Sequence, residues 1–178
     1  MVTPNQEIRR GARALLALCK THKLKLAAAE SCTGGLLLAA LTEIPGSSEA
    51  VDRGFVTYSN QAKQQMLGVT ARTLEKYGAV SRETALAMAK GALAHSSADI
   101  TAAITGIAGP GGGSKQKPVG LVHIAAATRN SARVHHECRF GDIGRAKVRE
   151  RSVLEALTIM RELIEFEIPK KKRRKPSK

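Results

Sequence analysis

The chain has 178 residues, 43% hydrophobic and 3% aromatic with no tryptophan, which fits one domain whose core is built from Ala, Leu, Ile and Val. No apolar run approaches the roughly 18 residues of a membrane span, so no membrane partner is expected. The formal net charge of +14 comes from 29 Lys and Arg against 15 Asp and Glu, a balance that favours an anionic ligand.

The N-terminus, Met1-Val2-Thr3-Pro4-Asn5-Gln6-Glu7, lacks the charged-then-apolar pattern of a signal peptide. Ile8, Ala12, Leu15, Leu16 and Cys19 recur at helical spacing and predict a first helix. Leu24, Leu26 and Ala28 then alternate with Lys23, Lys25 and Ala27 at the strand period of two. Next comes Ala29-Glu30-Ser31-Cys32-Thr33-Gly34-Gly35, followed by the helix-forming run Leu36-Leu37-Leu38-Ala39-Ala40-Leu41. A strand entering a helix through a glycine turn lifts a serine to the sheet edge and aims free backbone amides at a ligand. The same residues also fit plain capping of the helix by Ser31 or Thr33.

Pro45-Gly46-Ser47-Ser48 reads as a turn, and 51–58 as a strand interrupted by Gly54. Asn60 is placed as N-cap of a short helix carrying Ala62, Lys63, Met66 and Leu67, ended by Gly68. A second short helix covers 70–77 and stops at Gly78. Ser81 caps a longer one with Ala85, Met88, Ala89 and Ala92 on one face. Ile100, Ala102 and Ile104 alternate as a strand that runs into the glycine-rich loop 106–114. Residues 119–128 and 132–140 form a hairpin around Arg129-Asn130. The last helix is expected to present Val148, Leu154, Leu157, Arg161 and Ile164 on one face. Helices between strands with one late hairpin predict an α/β class, a three-layer α/β/α fold with a mixed sheet. The run after Pro169 holds seven Lys and Arg, half the net charge. It is expected to be a disordered basic tail over 169–178, open to weak nonspecific nucleic-acid binding, with the folded domain over 1–168.

Three polar, glycine-bearing segments follow apolar strands, at 30–35, 57–63 and 105–114, and such loops converge on one crevice in an open α/β sheet. Acyl transfer by a serine needs a base. The histidines fall near helix ends or in the hairpin, so a Ser–Lys pair of Ser31 and Lys63 is the alternative, with Lys63 depressed in pKa by burial, by the helix N-terminus and by neighbouring cations. An isolated lysine equally reads as a solvated surface residue. Arg145 and Arg149 share a helix face that suits a phosphate or carboxylate, or an ion pair with Asp142 or Glu150. Cys19, Cys32 and Cys138 match neither a zinc spacing nor a disulfide framework. A reducing, cytoplasmic setting follows, and no metal or cofactor is expected.

Taken in order, Ala28-Ala29-Glu30-Ser31-Cys32-Thr33-Gly34-Gly35, Gly54-Phe55-Val56-Thr57-Tyr58-Ser59-Asn60 with Lys63, Gly78-Ala79-Val80-Ser81, Thr105-Gly106-Ile107-Ala108-Gly109-Pro110 with Gly112-Gly113-Ser114, and Lys117-Pro118-Val119-Gly120 closely resemble the CinA C-terminal-domain family, the nicotinamide-nucleotide amidohydrolases. The resemblance covers about 6–168. It implies metal-free removal of the amide of nicotinamide mononucleotide, giving nicotinate mononucleotide and ammonia. By that likeness Ser31 is the nucleophile, Lys63 its base and Tyr58 an aid to proton transfer. Glu30, Thr33, Gly34, Gly35, Asn60, Thr105, Gly106 and Arg145 fall at substrate-binding positions, the amides of 33–35 holding the oxyanion or phosphate. The expected partners are a small nucleotide substrate and further copies of the chain in a homo-oligomer. Larger members add an N-terminal molybdopterin-binding-like domain, which is expected to be absent here along with its pyrophosphatase activity. A non-catalytic phosphate-ligand module and a nucleic-acid-associated protein acting through the tail are the rival readings.

Overall fold

Leu26–Glu30 (β1), with three alanines at its centre, and Ile100–Gly106 (β3), with an alanine pair between two Ile-Thr pairs, are buried along their length except at Gly106. They lie side by side and parallel, Leu26 opposite Ile100 and Glu30 opposite Ile104. Neighbouring residues face opposite layers. Ala28, Ala102 and Ile104 join one core, and Ala29 and Ala103 the other. A strand covered on both faces reads as continuously apolar. The alternation that includes Lys23 and Lys25 therefore lies in the approach to β1, outside the strand itself.

The computed structural model describes residues 6–173, with side chains described as far as residue 167. In it Val51–Val56 (β2) pairs parallel with the other edge of β1. Leu121–Thr128 (β4) and Arg133–Arg139 (β5) continue the sheet antiparallel beyond β3, giving the order β2-β1-β3-β4-β5. The expected three-layer fold with a mixed sheet is what forms. Gly54 does not interrupt β2. A side chain there would lie 2.4 Å from Leu38 Cδ2, so the glycine makes room for the helix above.

One outer layer holds Gln6–His22 (α1), Leu36–Thr42 (α2) and Arg145–Arg173 (α6). The other holds Asn60–Leu67 (α3), Ala71–Tyr77 (α4) and Arg82–Ala94 (α5). Ser59, not Asn60, caps α3, its hydroxyl accepting from the Ala62 N–H at 3.0 Å; Asn60 is already inside the first turn. Thr70 and Ser81 cap α4 and α5 in the same way. Within α5, Gly91 packs directly against the end of α3. A Cβ there would sit 2.0 Å from the Leu67 carbonyl oxygen. The buried face of α6 carries Val148, Val153, Ala156, Leu157, Met160, Leu163 and Ile164. Arg161 is not on it; it is exposed beside Glu165. The helix continues to Arg173 through Pro169, where the sequence pattern predicted loss of order. The remainder of the basic run, 174–178, lies outside the described residues. No helix among the described residues is long and apolar enough to cross a membrane.

Candidate active site

The chain passes from β1 to β2 on one side of it and then crosses back over β1 to β3 on the other. At such a switch point the connections leave in opposite directions and open a crevice at the carboxyl ends of the strands. The residue that leaves β1 there is Ser31, whose N–H still donates to the Ile104 carbonyl at 2.9 Å. A hollow of about 280 Å³ lies against it, walled by Cys32, Tyr58, Lys63, Ala79, Val80, Thr105, Gly106, the loop residues Ile107, Ala108, Gly109, Gly111 and Gly112, and Arg145.

Lys63 reaches Ser31 from α3, across a gap of 32 residues. Its Nζ lies 3.0 Å from Ser31 Oγ and donates to the Thr57 carbonyl at 2.8 Å. The side chain is 1% exposed. Burial lowers its pKa below the ordinary lysine value, because a low-dielectric setting disfavours the charged form. No cation is needed for that depression. The expected contribution of the α2 N-terminus is absent for a plain reason: Glu30 already occupies it. Glu30 Oε2 accepts from the N–H groups of Gly35 and Leu37, at 3.0 and 3.1 Å, and Oε1 accepts from that of Leu38 at 2.9 Å. A buried carboxylate on those amides offsets the helix dipole.

The placement of Glu30 corrects the expected roles of the glycine turn. Glu30 is 1% exposed and does not border the hollow. The Gly34 N–H donates to the Ser31 carbonyl at 3.0 Å and the Gly35 N–H to Glu30, so neither is free for an anion. Thr33 is fully buried, and its carbonyl accepts from Arg149 Nη2 at 2.6 Å and Nε at 3.3 Å. The amides that take no backbone acceptor are those of Cys32 and Thr33. Asn60 also lies elsewhere. It borders a separate hollow with Gln64, Ala71, Leu74 and Glu75, because it points from the first turn of α3 while Lys63 faces the sheet.

The remaining expected residues do meet. Tyr58 is 61% exposed at the rim, and its hydroxyl accepts from Arg145 Nη2 at 2.8 Å. Arg145 Nη1 donates to the Gly109 carbonyl at 3.0 Å, tying the rim to the glycine loop. Thr105 Oγ1 donates to the Ala79 carbonyl at 2.7 Å, and Lys117 Nζ to that of Tyr77 at 2.7 Å. These two bonds hold the 78–81 turn over the hollow. Cys32 packs in the main core, and burial pushes its thiol up to about 12, so the thiolate is inaccessible near neutral pH. Ala79 and Val80 carry part of the family likeness and also wall the hollow, a role for which their apolar, uncharged side chains give no local signal in the sequence. No three His, Cys, Asp or Glu side chains gather as a metal site among the described residues.

The same arrangement of strands and loops recurs in known proteins. The crystal structure of a competence/damage inducible protein, CihA, from Agrobacterium tumefaciens superimposes with a TM-score of 0.90 at 54% identity, over 92% of this chain and 99% of that one. A competence-damaged protein (CinA) superfamily protein from Escherichia coli gives a TM-score of 0.84 at 34% identity, over 92% and 94%. A Caldicellulosiruptor bescii protein bearing the competence-damage inducible name is 50% identical over 151 residues, 84% of this chain and 36% of the relative. The chain thus spans about a third of the length of the curated relatives it matches. Residues 9–164 match the family described as the CinA C-terminal domain. That match takes in every side chain around the Ser31 hollow, and by it the chain belongs to the CinA C-terminal domain family.

Proposed function

We propose that the protein is an amidohydrolase acting on a small carboxamide, with nicotinamide mononucleotide as its substrate, through Ser31 and Lys63. The observation that carries this reading is the 3.0 Å contact between Ser31 Oγ and an amine that is 1% exposed. A neutral lysine has two N–H bonds and one lone pair. Donation to the Thr57 carbonyl fixes one N–H and leaves the lone pair available to the serine hydroxyl.

The steps then balance. Lys63 takes the Ser31 proton as Oγ bonds to the carboxamide carbon. The negative charge collects on the carbonyl oxygen, where backbone N–H donors lower the barrier. The protonated amine returns its proton to the departing nitrogen, which leaves as ammonia. Water then attacks the acyl-serine, Lys63 removes its proton and returns it to Ser31 Oγ as the C–Oγ bond breaks, and the carboxylic product departs with Ser31 and Lys63 restored. Tyr58 hydroxyl, held by Arg145, stands beside this path. Arg145 keeps further N–H donors after binding Tyr58 and Gly109, which suits a phosphate at the rim. Ala79, Val80, Ile107 and Ala108 offer an apolar wall, which suits a flat ring.

Incubating the purified protein with nicotinamide mononucleotide and following ammonia release tests the reading. Turnover at the same rate with and without a chelator is expected. Activity lost on chelation and restored by zinc or magnesium, or no ammonia at all, counts against it.

A further inference from the structure

We infer that Arg149 is a positioning residue that holds the nucleophile turn in shape, and is not a ligand of the substrate's anion. The inference rests on the acyl-transfer reading of Ser31. The sequence offers Arg145 and Arg149 as a matched pair on one helix face. The structure separates their tasks. Arg145 borders the hollow; Arg149 does not. Two of Arg149's donors, Nε and Nη2, converge on a single acceptor, the Thr33 carbonyl.

That carbonyl belongs to the peptide unit joining Thr33 to Gly34. The other end of the same unit is the Gly34 N–H, which donates to the Ser31 carbonyl at 3.0 Å. The bond closes a four-residue turn, Ser31 to Gly34. In such a turn the two central amides, here Cys32 and Thr33, have no partner within it. A serine hydrolase commonly uses the amide just after its nucleophile to hold the oxyanion. Those amides lie in the 31–32 and 32–33 peptides, and the 33–34 peptide closes the turn that holds both of them in place.

Locally the plane of the 33–34 peptide is held by the Gly34 N–H and by a long bond from the Leu36 N–H to the Thr33 carbonyl at 3.3 Å, and the Arg149 Nη2 bond at 2.6 Å is the shortest of those on the carbonyl. Gly34 and Gly35 both have positive φ, +59° and +95°, and two successive glycines rotate with little steric penalty. Glu30 anchors the turn beyond Gly35 through the α2 amides. On the near side, the only side chain bonded to the 33–34 unit among the described residues is Arg149. A two-donor grip from the rigid frame of α6 is what a glycine-rich turn requires to stay ordered through a reaction. Displacement by about 1 Å at such a site lowers turnover by about 100-fold.

The experiment compares wild type, Arg149→Ala and Arg149→Lys by two readouts. The first is steady-state ammonia release from nicotinamide mononucleotide. The second is labelling of Ser31 by a small fluorophosphonate, followed by intact mass. There Oγ bonds to phosphorus, fluoride leaves, and the serine proton passes to Lys63. Thermal melts establish that each variant is folded. Arg149→Ala is expected to lower kcat about 100-fold with KM within about threefold, to slow labelling in parallel, and to leave the pH–rate profile in place because Lys63 is untouched. Arg149→Lys, with one charged donor in reach, is expected to recover part of the rate. A KM raised tenfold or more at unchanged kcat would make Arg149 an anion ligand and overturn the inference. So would unchanged labelling of a folded Arg149→Ala, or a loss of rate matched only by unfolding. If wild type labels at Ser31 and Arg149→Ala labels slowly, yet neither releases ammonia, the substrate reading fails and this inference stands. A wild type that neither labels nor turns over overturns both.

Discussion

Lys63 is an amine in a place proteins ordinarily reserve for apolar groups, and its two roles pull in opposite directions. Its lowered pKa means the unfolded chain binds the proton more tightly than the folded one. Folding stability therefore rises with pH from the lowered value up to about 10.4 and is penalised below it. Lys63→Met removes the penalty. It should abolish ammonia release while raising Tm at pH 7, where about 1 kcal/mol corresponds to about 2–4 °C at this chain length. Lys63→Arg should be inactive as well, since a guanidinium stays protonated. In wild type, kcat should fall as pH drops through a group ionising well below the ordinary lysine value. If Lys63→Arg retains most of its activity, the base lies elsewhere. Ser31→Ala should cost several orders of magnitude, whereas Cys32→Ser should keep most of the rate because that thiol is packed in the core; the reverse pattern would exchange their roles. The sequence brought Ser31 and Lys63 to strand ends by pattern alone. It could not show that Glu30 and the amides of Gly34 and Gly35 are engaged with each other and with Ser31, since side-chain capping across five to eight residues leaves no spacing signal.

At the level of elements, the β4–β5 hairpin carries a second pair of titrating groups. His123 Nδ1 and His135 Nε2 are 3.0 Å apart, with stacked rings. Both pKa values are lowered, chiefly by burial. Glu137, Glu83, Lys117, Arg139 and Arg82 complete their electrostatic surroundings. The unfolded chain protonates near 6.5, so this hairpin's stability is full above that pH and declines as pH falls towards the lowered folded values, by about 1.4 kcal/mol per tenfold difference in proton affinity. Urea midpoints should drop between pH 7.5 and pH 5, and His135→Phe should narrow the gap. An equal gap in the variant would place the acid sensitivity elsewhere. The hairpin was legible from its two apolar runs and its Arg129-Asn130 break. The histidine pair was not, because contact between diagonal residues on paired strands depends on register, and a one-residue slip would turn one ring to the opposite face.

Taken whole, the molecule places the Ser31 hollow at the sheet position where chain connectivity reverses, between β1 and β3. The alternation of helices and strands made the three layers readable, and the late pair of apolar runs made the sheet mixed. What sequence could not supply was the clearance between layers. At Gly54 the small residue admits Leu38. At Gly91 it admits the backbone of α3. This second gap bears on protein engineering. Exchanging a mid-helix glycine for alanine is a routine route to heat resistance, commonly gaining about 0.5–2 kcal/mol. Here the added methyl would land 2.0 Å from the Leu67 carbonyl oxygen, driving the end of α3 off its neighbour. Lys63 rides on that helix, one turn away. Gly91→Ala should therefore lower both the melting temperature and the rate of ammonia release, and a variant that melts higher with full turnover would show that α3 can yield. The tolerance of this fold to stabilising redesign is set by a residue that borders neither the Ser31 hollow nor Lys63.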